Sequence, residues 1–321
     1  MKHTTRYDIL TFGDMCVDLI VTGDDVVPRF GQCEKLVGDY ELEMGGSCNI
    51  FACQAAKLGL RVGIIGRVGE DDFGRLVLRR LIESGVDTQH VIVDPCVKTG
   101  LGIALCQGND RAILTYLGSL NAVFPGQIND DLLRSARHLH HGSYFLQTNL
   151  RPAIPDIFTR ARSFGLSTSL DTNWDPAEKW NGTLQQSLAL TDIFLPNEQE
   201  ARLISRTSNL EDAIPVFQGM GVAITAIKQG EAGAQIVTKG ERHTCALPAS
   251  TGGDSIGTGD SFDAGFLSGW LRGLPLKQCL QIACHCGKEV AAQVGGIRSQ
   301  PDWATIIELT GINIETAGNS Q

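Results

Sequence analysis

Apolar runs of strand length alternate with segments of helical period along most of this chain, and that alternation restricts the possible folds more than any other feature. YDILTFG (7–13) precedes a helical segment from about Asn49 to Leu58, and RVGIIG (61–66) precedes a helix through DFGRLVLRRLIESG (72–85). The rhythm returns with RHLHHG (137–142), a helix near 152–164, LSTSLD (166–171), DIFLPN (192–197) and VAITAIK (222–228). Strands separated by helices pair in parallel, because a parallel neighbour requires a crossover, and helices then cover both faces. Such crossovers are right-handed and leave functional loops beyond the carboxyl ends of the strands. The expected fold class is α/β, a three-layer α/β/α arrangement with a mostly parallel central sheet.

Two stretches interrupt the rhythm. Residues 16–44 contain no convincing helix, and KTGLGIALCQGNDRAILTYLG (98–118) reads as two strands around the turn Gly108-Asn109-Asp110. These strands can form a small sheet standing apart as a lid over a pocket, or an edge hairpin on the main sheet; pattern alone leaves both open. The 321 residues suit one large domain. We expect a single domain, 1–321, with lid segments at about 16–43 and 98–119.

The balance of 27 basic against 36 acidic side chains, a formal charge of -9, disfavours a nucleic-acid-binding surface, which needs clustered Lys and Arg to displace counterions. MKHTTRYDILTFG shows no apolar core followed by a small-residue cleavage site. Nor is there a run of about 18 apolar residues. The expectation is a cytoplasmic protein with neither nucleic acid nor membrane as partner. Ten cysteines lack paired CxxC spacing and read as buried, reduced thiols. Cys284-His285-Cys286 has metal-binding residue types, but on a helix neighbours point about 100° apart and do not converge on one ion.

The chemistry concentrates in Asp254-Ser255-Ile256-Gly257-Thr258-Gly259-Asp260-Ser261-Phe262-Asp263-Ala264-Gly265, which leads into the helix-period run FLSGWL. Glycines just before a helix let successive amide N–H groups face outward, and the helix dipole adds to their pull on an anion. A carboxylate beside such a cradle makes sense if it removes the proton from a hydroxyl that attacks phosphorus. Asp at a helix start is also a common cap, so Asp260 has two readings. Gly253 to Gly257 matches G-x-S-x-G, which would make Ser255 an esterase nucleophile. The helix starting near Asp260 leaves no elbow at Ser255, and the only downstream histidine, His285, lies within a helical segment. No G-x-x-x-x-G-K-[ST] is present, and GIIGRVG (63–69) has the wrong spacing for a dinucleotide fingerprint.

DSIGTGDSFDAG (254–265) closely resembles the C-terminal signature of PfkB carbohydrate kinases, the ribokinase-like family. GGSCNIFACQAAKLG (45–59) resembles the N-terminal signature, a double glycine followed by Asn and a small-residue helix, and the two lie about 210 residues apart in the family's order. Gly13-Asp14-Met15-Cys16-Val17-Asp18 and Pro196-Asn197-Glu198-Gln199-Glu200 fit between and before them, so the resemblance spans essentially the whole chain. It implies a ribokinase-like fold, ATP and Mg2+ as cofactors, a small sugar as substrate and, in such kinases, dimers formed through the lid. Asp260 matches the catalytic base, and the amides of Gly257, Thr258 and Gly259 match the anion hole. Asp18, Gly45, Gly46 and Asn49 match the substrate-binding positions, where sugar hydroxyls need acceptors and donors at fixed angles. Asn197 and Glu200 match the N-x-x-E motif that positions magnesium, through water. Glu200 in the first turn of a helix would also simply favour the dipole. Lys228, Gly230 and Gly233 resemble the strand-end loop near the nucleotide, and Val294-Gly295-Gly296 the loop over the adenine. Asp254 resembles a ligand of the monovalent-cation site of several relatives, which suggests K+ activation.

One departure bears on specificity. Asp171-Thr172-Asn173-Trp174-Asp175 resembles a D-x-N-x-R motif whose Arg can hold the carboxylate of sugar acids, and Asp175 stands in its place. A like charge there repels an anion by about 1 kcal/mol even in water, so the expected substrate is a neutral sugar. Gln107, Tyr116, Tyr144 and Gln147 are candidates for the pocket floor. A nucleoside also presents ribose hydroxyls, and Phe30, Tyr40 and Tyr116 are the lid aromatics that would stack on its base. A silent sugar-binding regulator of the same fold is the non-enzymatic alternative; the intact Asp260, glycines and Asn197/Glu200 argue against it.

Overall fold

The computed structural model describes residues 5–108, 110–246 and 255–312. In chain order its elements are β1 (Tyr7–Phe12), β2 (Cys16–Thr22), β3 (Asp39–Gly45), α1 (Ser47–Lys57), β4 (Val62–Gly69), α2 (Asp72–Glu83), β5 (Asp87–Asp94), β6 (Gly100–Gln107), β7 (Asp110–Tyr116), α3 (Asp130–Arg134), β8 (Ala136–His141), α4 (Ile154–Ser163), β9 (Ser167–Leu170), α5 (Leu184–Leu188), β10 (Ile193–Phe194), α6 (Glu198–Ser205), α7 (Leu210–Met220), β11 (Ile224–Lys228), β12 (Ala234–Val237), β13 (Arg242–Cys245), α8 (Thr258–Leu271), α9 (Leu276–Val290) and α10 (Trp303–Thr310).

The large sheet has the order β13-β12-β11-β10-β9-β8-β1-β4-β5. It is parallel from β5 to β11, and β12 and β13 extend it antiparallel. β1 is central, and its consecutive side chains serve opposite layers. Ile9 joins the core under α1, α8 and α9, whereas Leu10 and Phe12 join the core under α4 to α7. This two-sided burial explains why β1 reads as a continuous apolar run instead of an alternating one. The strands that pattern reading passes over are β5, β12 and β13. β5 is a sheet edge whose sequence DTQHVIVD is largely polar, and the latter two are four-residue pieces.

The interruptions in the rhythm form a second sheet, β3-β2-β6-β7, not an edge hairpin on the first. Its register places Asp18, Glu43, Gly102 and Thr115 on one face, and Leu19, Leu42, Ile103 and Leu114 on the other.

The expectation that every cysteine is buried is corrected at Cys106 and Cys245, which are half-buried, and at Cys33 and Cys96, which are exposed. Cys33 lies in the long connection between β2 and β3, and Cys96 in the turn after β5, where no second layer covers them. Among the described residues no helix is long and apolar enough to cross a membrane. Asn109 and Asp254 lie outside the described residues.

Candidate active site

The site is built where the starts of α1 and α8 meet at the carboxyl ends of the central strands. α8 begins at Thr258, slightly ahead of the sequence expectation, with Gly257 as its N-cap at φ 73°. Only glycine adopts this left-handed conformation readily. A Cβ at Gly257 would also lie 2.7 Å from the Gly296 Cα and 2.9 Å from the Ile50 Cγ2. The first closing bond runs from the Ser261 amide to the Gly257 carbonyl at 2.9 Å, so the preceding first-turn amides have no acceptor within the helix. They form a positively polarised opening suited to an anion. Gly295 and Gly296 follow α9, which stops at Val290, and Gly296 packs against this opening.

Asp260 is the third residue of α8 and does not cap it; Gly257 holds that position without a side-chain cap bond. Its carboxylate instead accepts a hydrogen bond from the Ser47 hydroxyl. The Asn173 Nδ2 in turn donates to the Ser47 Oγ at 2.8 Å. Asp260 sits deep among protein atoms while keeping an opening to the cleft. Burial, reinforced by the nearby Asp171 carboxylate, pushes its pKa up to about 7, against the Ser47 hydrogen bond and the Lys228 charge.

α1 starts at Ser47 with Gly46 as N-cap at φ 87°. Glycine has no side chain to cap with, so Asp14, from the turn after β1, supplies both oxygens. They accept from the Ser47 amide at 2.9 Å and the Cys48 amide at 3.0 Å. Within α1, Asn49 is fully buried and donates through Nδ2 to the Gly45 carbonyl at 2.8 Å, while its Oδ1 has no hydrogen-bond partner. Asp18 lies across the backbones of Gly45 and Gly102, where any Cβ on either glycine would collide with its carboxylate. The buried Cys16 thiol reports how close these acids are. Burial and the carboxylates of Asp18, Asp14 and Asp260 hold it well above the ordinary thiol range.

Beneath the α8 opening, the Lys228 Nζ is 2.7 Å from Asp171 and 3.1 Å from Asp263, both buried. A Cβ on Gly259 would fall within 3.4 Å of the same Nζ. The two acids diverge: burial pushes Asp263 well above the usual carboxylate range, whereas for Asp171 burial is outweighed by the Lys228 charge and by hydrogen bonds from Asp263 and the Asn173 amide, which lower it. The side chain of Lys228 is thereby committed to Asp171 and Asp263. Asn197 and Glu200 form a reciprocal capping box at the start of α6. The Asn197 amide and Nδ2 donate to Glu200 at 2.9 and 2.7 Å, and the Glu200 amide donates to the Asn197 Oδ1 at 2.8 Å. Burial and the Asp171 charge raise the Glu200 pKa to about 7.

Several expectations are corrected. Asp175 does not present a bare charge: its carboxylate is buried and accepts from the amides of Ala177, Lys179 and Trp180 at 3.0, 2.9 and 2.8 Å. Tyr144 belongs to the core under α4, with its hydroxyl on Thr183 at 2.9 Å. Tyr116 and Tyr40 lie on the face of the second sheet opposite Asp18, and Gln107 is exposed, donating to the Asp24 carbonyl at 2.7 Å. Gln147 is buried against Gly13 and donates to the Gly142 carbonyl at 3.0 Å. Ser47, Asp14 and Asp263 are site residues that motif reading quotes without assigning a role. Ser47 follows the double glycine directly, and that adjacency was the available signal. Arg111 of β7 donates to the Ser255 Oγ at 2.7 Å, joining the second sheet to the α8 approach.

A sequence model described as pfkB family carbohydrate kinase matches residues 7–303. The chain is similar to an uncharacterised sugar kinase of Archaeoglobus fulgidus, 31% identical over 249 residues that cover 76% of this chain and 98% of the relative. It is 28% identical to a fructokinase of Escherichia coli over 307 residues, 91% of this chain and 96% of that one. Among solved structures, Arabidopsis thaliana ribokinase complexed with ribose and ATP matches in fold with a TM-score of 0.83 at 21% identity, covering 96% of this chain and 99% of that chain.

Proposed function

Because the chain belongs to the PfkB family and is an ATP-dependent carbohydrate kinase, we propose that it phosphorylates a hydroxyl group of a small neutral sugar, with Asp260 as general base. The observation that carries this reading is the placement of Asp260: a carboxylate with its pKa near 7, in the cleft, on the same helix turn as the outward-facing amides of Thr258 and Gly259. A base of that strength takes the proton of an attacking hydroxyl at neutral pH. The sugar oxygen then bonds to the γ-phosphorus, the bond to ADP breaks, and the amides stabilise the charge spread over the transferring oxygens.

Asn49 supports a hydroxylated substrate. Its buried, unpartnered Oδ1 is an acceptor that a sugar hydroxyl satisfies, since such an atom left alone carries a desolvation penalty of about 1–3 kcal/mol. Neutrality of the sugar follows from the acids Asp14, Asp18, Asp171 and Asp260 around the cleft, against a Lys228 already paired twice. The nucleoside alternative is weakened because Tyr40 and Tyr116 sit on the far face of the second sheet, away from Asp18.

Magnesium accompanies ATP in phosphoryl transfer by neutralising phosphate charge. Both Glu200 oxygens already accept hydrogen bonds from Asn197, so this pair suits a hydrated ion held through water, and an approaching cation favours the charged form of a carboxylate whose pKa is raised. The second sheet serves as the lid of segments 16–43 and 98–119, with the Arg111–Ser255 bond as its closed contact. On the lid's outer face Tyr40, Leu114 and Tyr116 are exposed, with no covering layer among the described residues, and this is the surface of a homodimer. Tyr116→Glu combined with Leu114→Glu converts that dimer to monomer by light scattering; a wild-type monomer at micromolar concentration refutes it.

ADP release from Mg-ATP across neutral sugars, sugar phosphates, sugar acids and nucleosides tests the substrate class. Preferential turnover of a neutral sugar is the expected result, and preference for an anionic sugar or a nucleoside overturns it.

A further inference from the structure

Cys245 ends β13, and Cys284 sits on the face of α9 that packs against it. The Cys284 thiol donates to the Cys245 carbonyl oxygen at 3.9 Å, which places its sulfur beside Cys245. The other cysteines of α9 face α8: a Cβ on Gly265 would come within 2.9 Å of the Cys286 Sγ, and one on Gly269 within 3.1 Å of the Cys279 Sγ. Cys284 is therefore the α9 thiol presented to Cys245. The pair is asymmetric. Cys284 is buried, whereas Cys245 is partly exposed and reachable by a small reagent. Its interaction with Cys284 lowers the Cys245 thiol to about 7, while that interaction and burial push Cys284 far up.

We propose that Cys245 and Cys284 form a thiol-modification site, separate from the kinase centre, that a peroxide or small disulfide oxidises to an intramolecular disulfide. With peroxide, the Cys245 thiolate attacks one peroxide oxygen, the O–O bond breaks, and the departing hydroxide takes up a proton as water. The resulting sulfenic acid is attacked by the Cys284 sulfur, which loses its proton; the S–O bond breaks and a second water leaves. Two thiols and one peroxide thus become one disulfide and two waters, with both electrons passing to the peroxide. Closure draws the sulfurs to about 2.0 Å, which ties the end of β13 to α9. The Cys245 carbonyl already fills the space a Gly233 side chain would occupy, so the tie acts on the Gly230–Gly233 turn. An effect on ATP rests on the kinase reading of that turn; the disulfide itself does not.

The test uses the full chain in a C33S/C96S background, which removes the two exposed thiols. One equivalent of hydrogen peroxide at pH 7.5 is followed by thiol counting and non-reducing peptide mass spectrometry. The expected result is loss of two of the eight remaining thiols (ten minus two). One cross-linked peptide joins Cys245 to Cys284, and dithiothreitol reverses it. In C284S the cross-link disappears and Cys245 is trapped by dimedone; C284A, checked for folding by circular dichroism, behaves alike. A Cys245 that stays reduced, or that cross-links to another cysteine, overturns the site. Oxidation is expected to raise KM for ATP severalfold. A disulfide that forms with KM unchanged refutes the link to the nucleotide turn and leaves the modification site standing.

Discussion

The hydroxyl of Ser47, at the start of α1, donates to the carboxylate of Asp260, at the start of α8, although 213 residues separate them in the chain. Both helices thus direct their positive ends at one cleft, and the carboxylate between them is tuned by a donor that favours its charged form. A general base works deprotonated, so activity is lost as pH falls through about 7, the value to which burial raises Asp260. Removing the donor raises that value further. Ser47→Ala is expected to move the acid limb of the kcat/KM profile upward by about one pH unit, roughly tenfold in rate at pH 6, with little change near pH 9. A profile identical to wild type shows that the hydrogen bond does not tune the base.

Lys228 makes a second prediction. It is the cation between Asp171 and Asp263, and removing one partner of a buried ionic group leaves uncompensated charge, a loss of about 3–5 kcal/mol. Lys228→Met is expected to unfold at lower denaturant by that order and to shift the Asp260 acid limb upward, because a nearby positive charge is gone. Equilibrium urea unfolding checks the first effect and a pH profile the second. Wild-type stability would mean that the cluster carries no net charge for Lys228 to balance.

Much of this arrangement was legible in the sequence, for physical reasons. β1, β4 and β11 are largely buried, and their apolar runs announce it; the glycines at 45, 46 and 257 mark places where backbone must turn or come close. The polar couplings were not legible. Nothing in the order of residues says that Asp14 caps a helix 33 residues away, or that Lys228 bridges acids 57 and 35 positions from it, since these bonds exist only once the sheet closes. Asp175 shows the converse failure. Motif alignment treats it as a charge facing the substrate, whereas three amides of its own turn take up the carboxylate.

Asn49 supplies the third prediction. Its Nδ2 holds the Gly45 carbonyl while its Oδ1 lacks a partner, so one end positions the backbone and the other awaits a donor. Asn49→Ala is expected to raise the sugar KM about tenfold or more, with KM for ATP within twofold of wild type. Steady-state kinetics with each substrate varied in turn checks this. An equal rise in both constants would assign Asn49 to general folding of α1.

The most direct measurement of the central claim compares phosphorylated sugar formed from Mg-ATP by wild type and by Asp260→Asn, with sugar binding followed calorimetrically in both. The account predicts a fall in kcat of about 10²–10⁴ with the sugar dissociation constant little changed, because the amide keeps the shape and cannot take the proton. An Asp260→Asn protein that retains a tenth or more of wild-type turnover contradicts the assignment of Asp260 as the base.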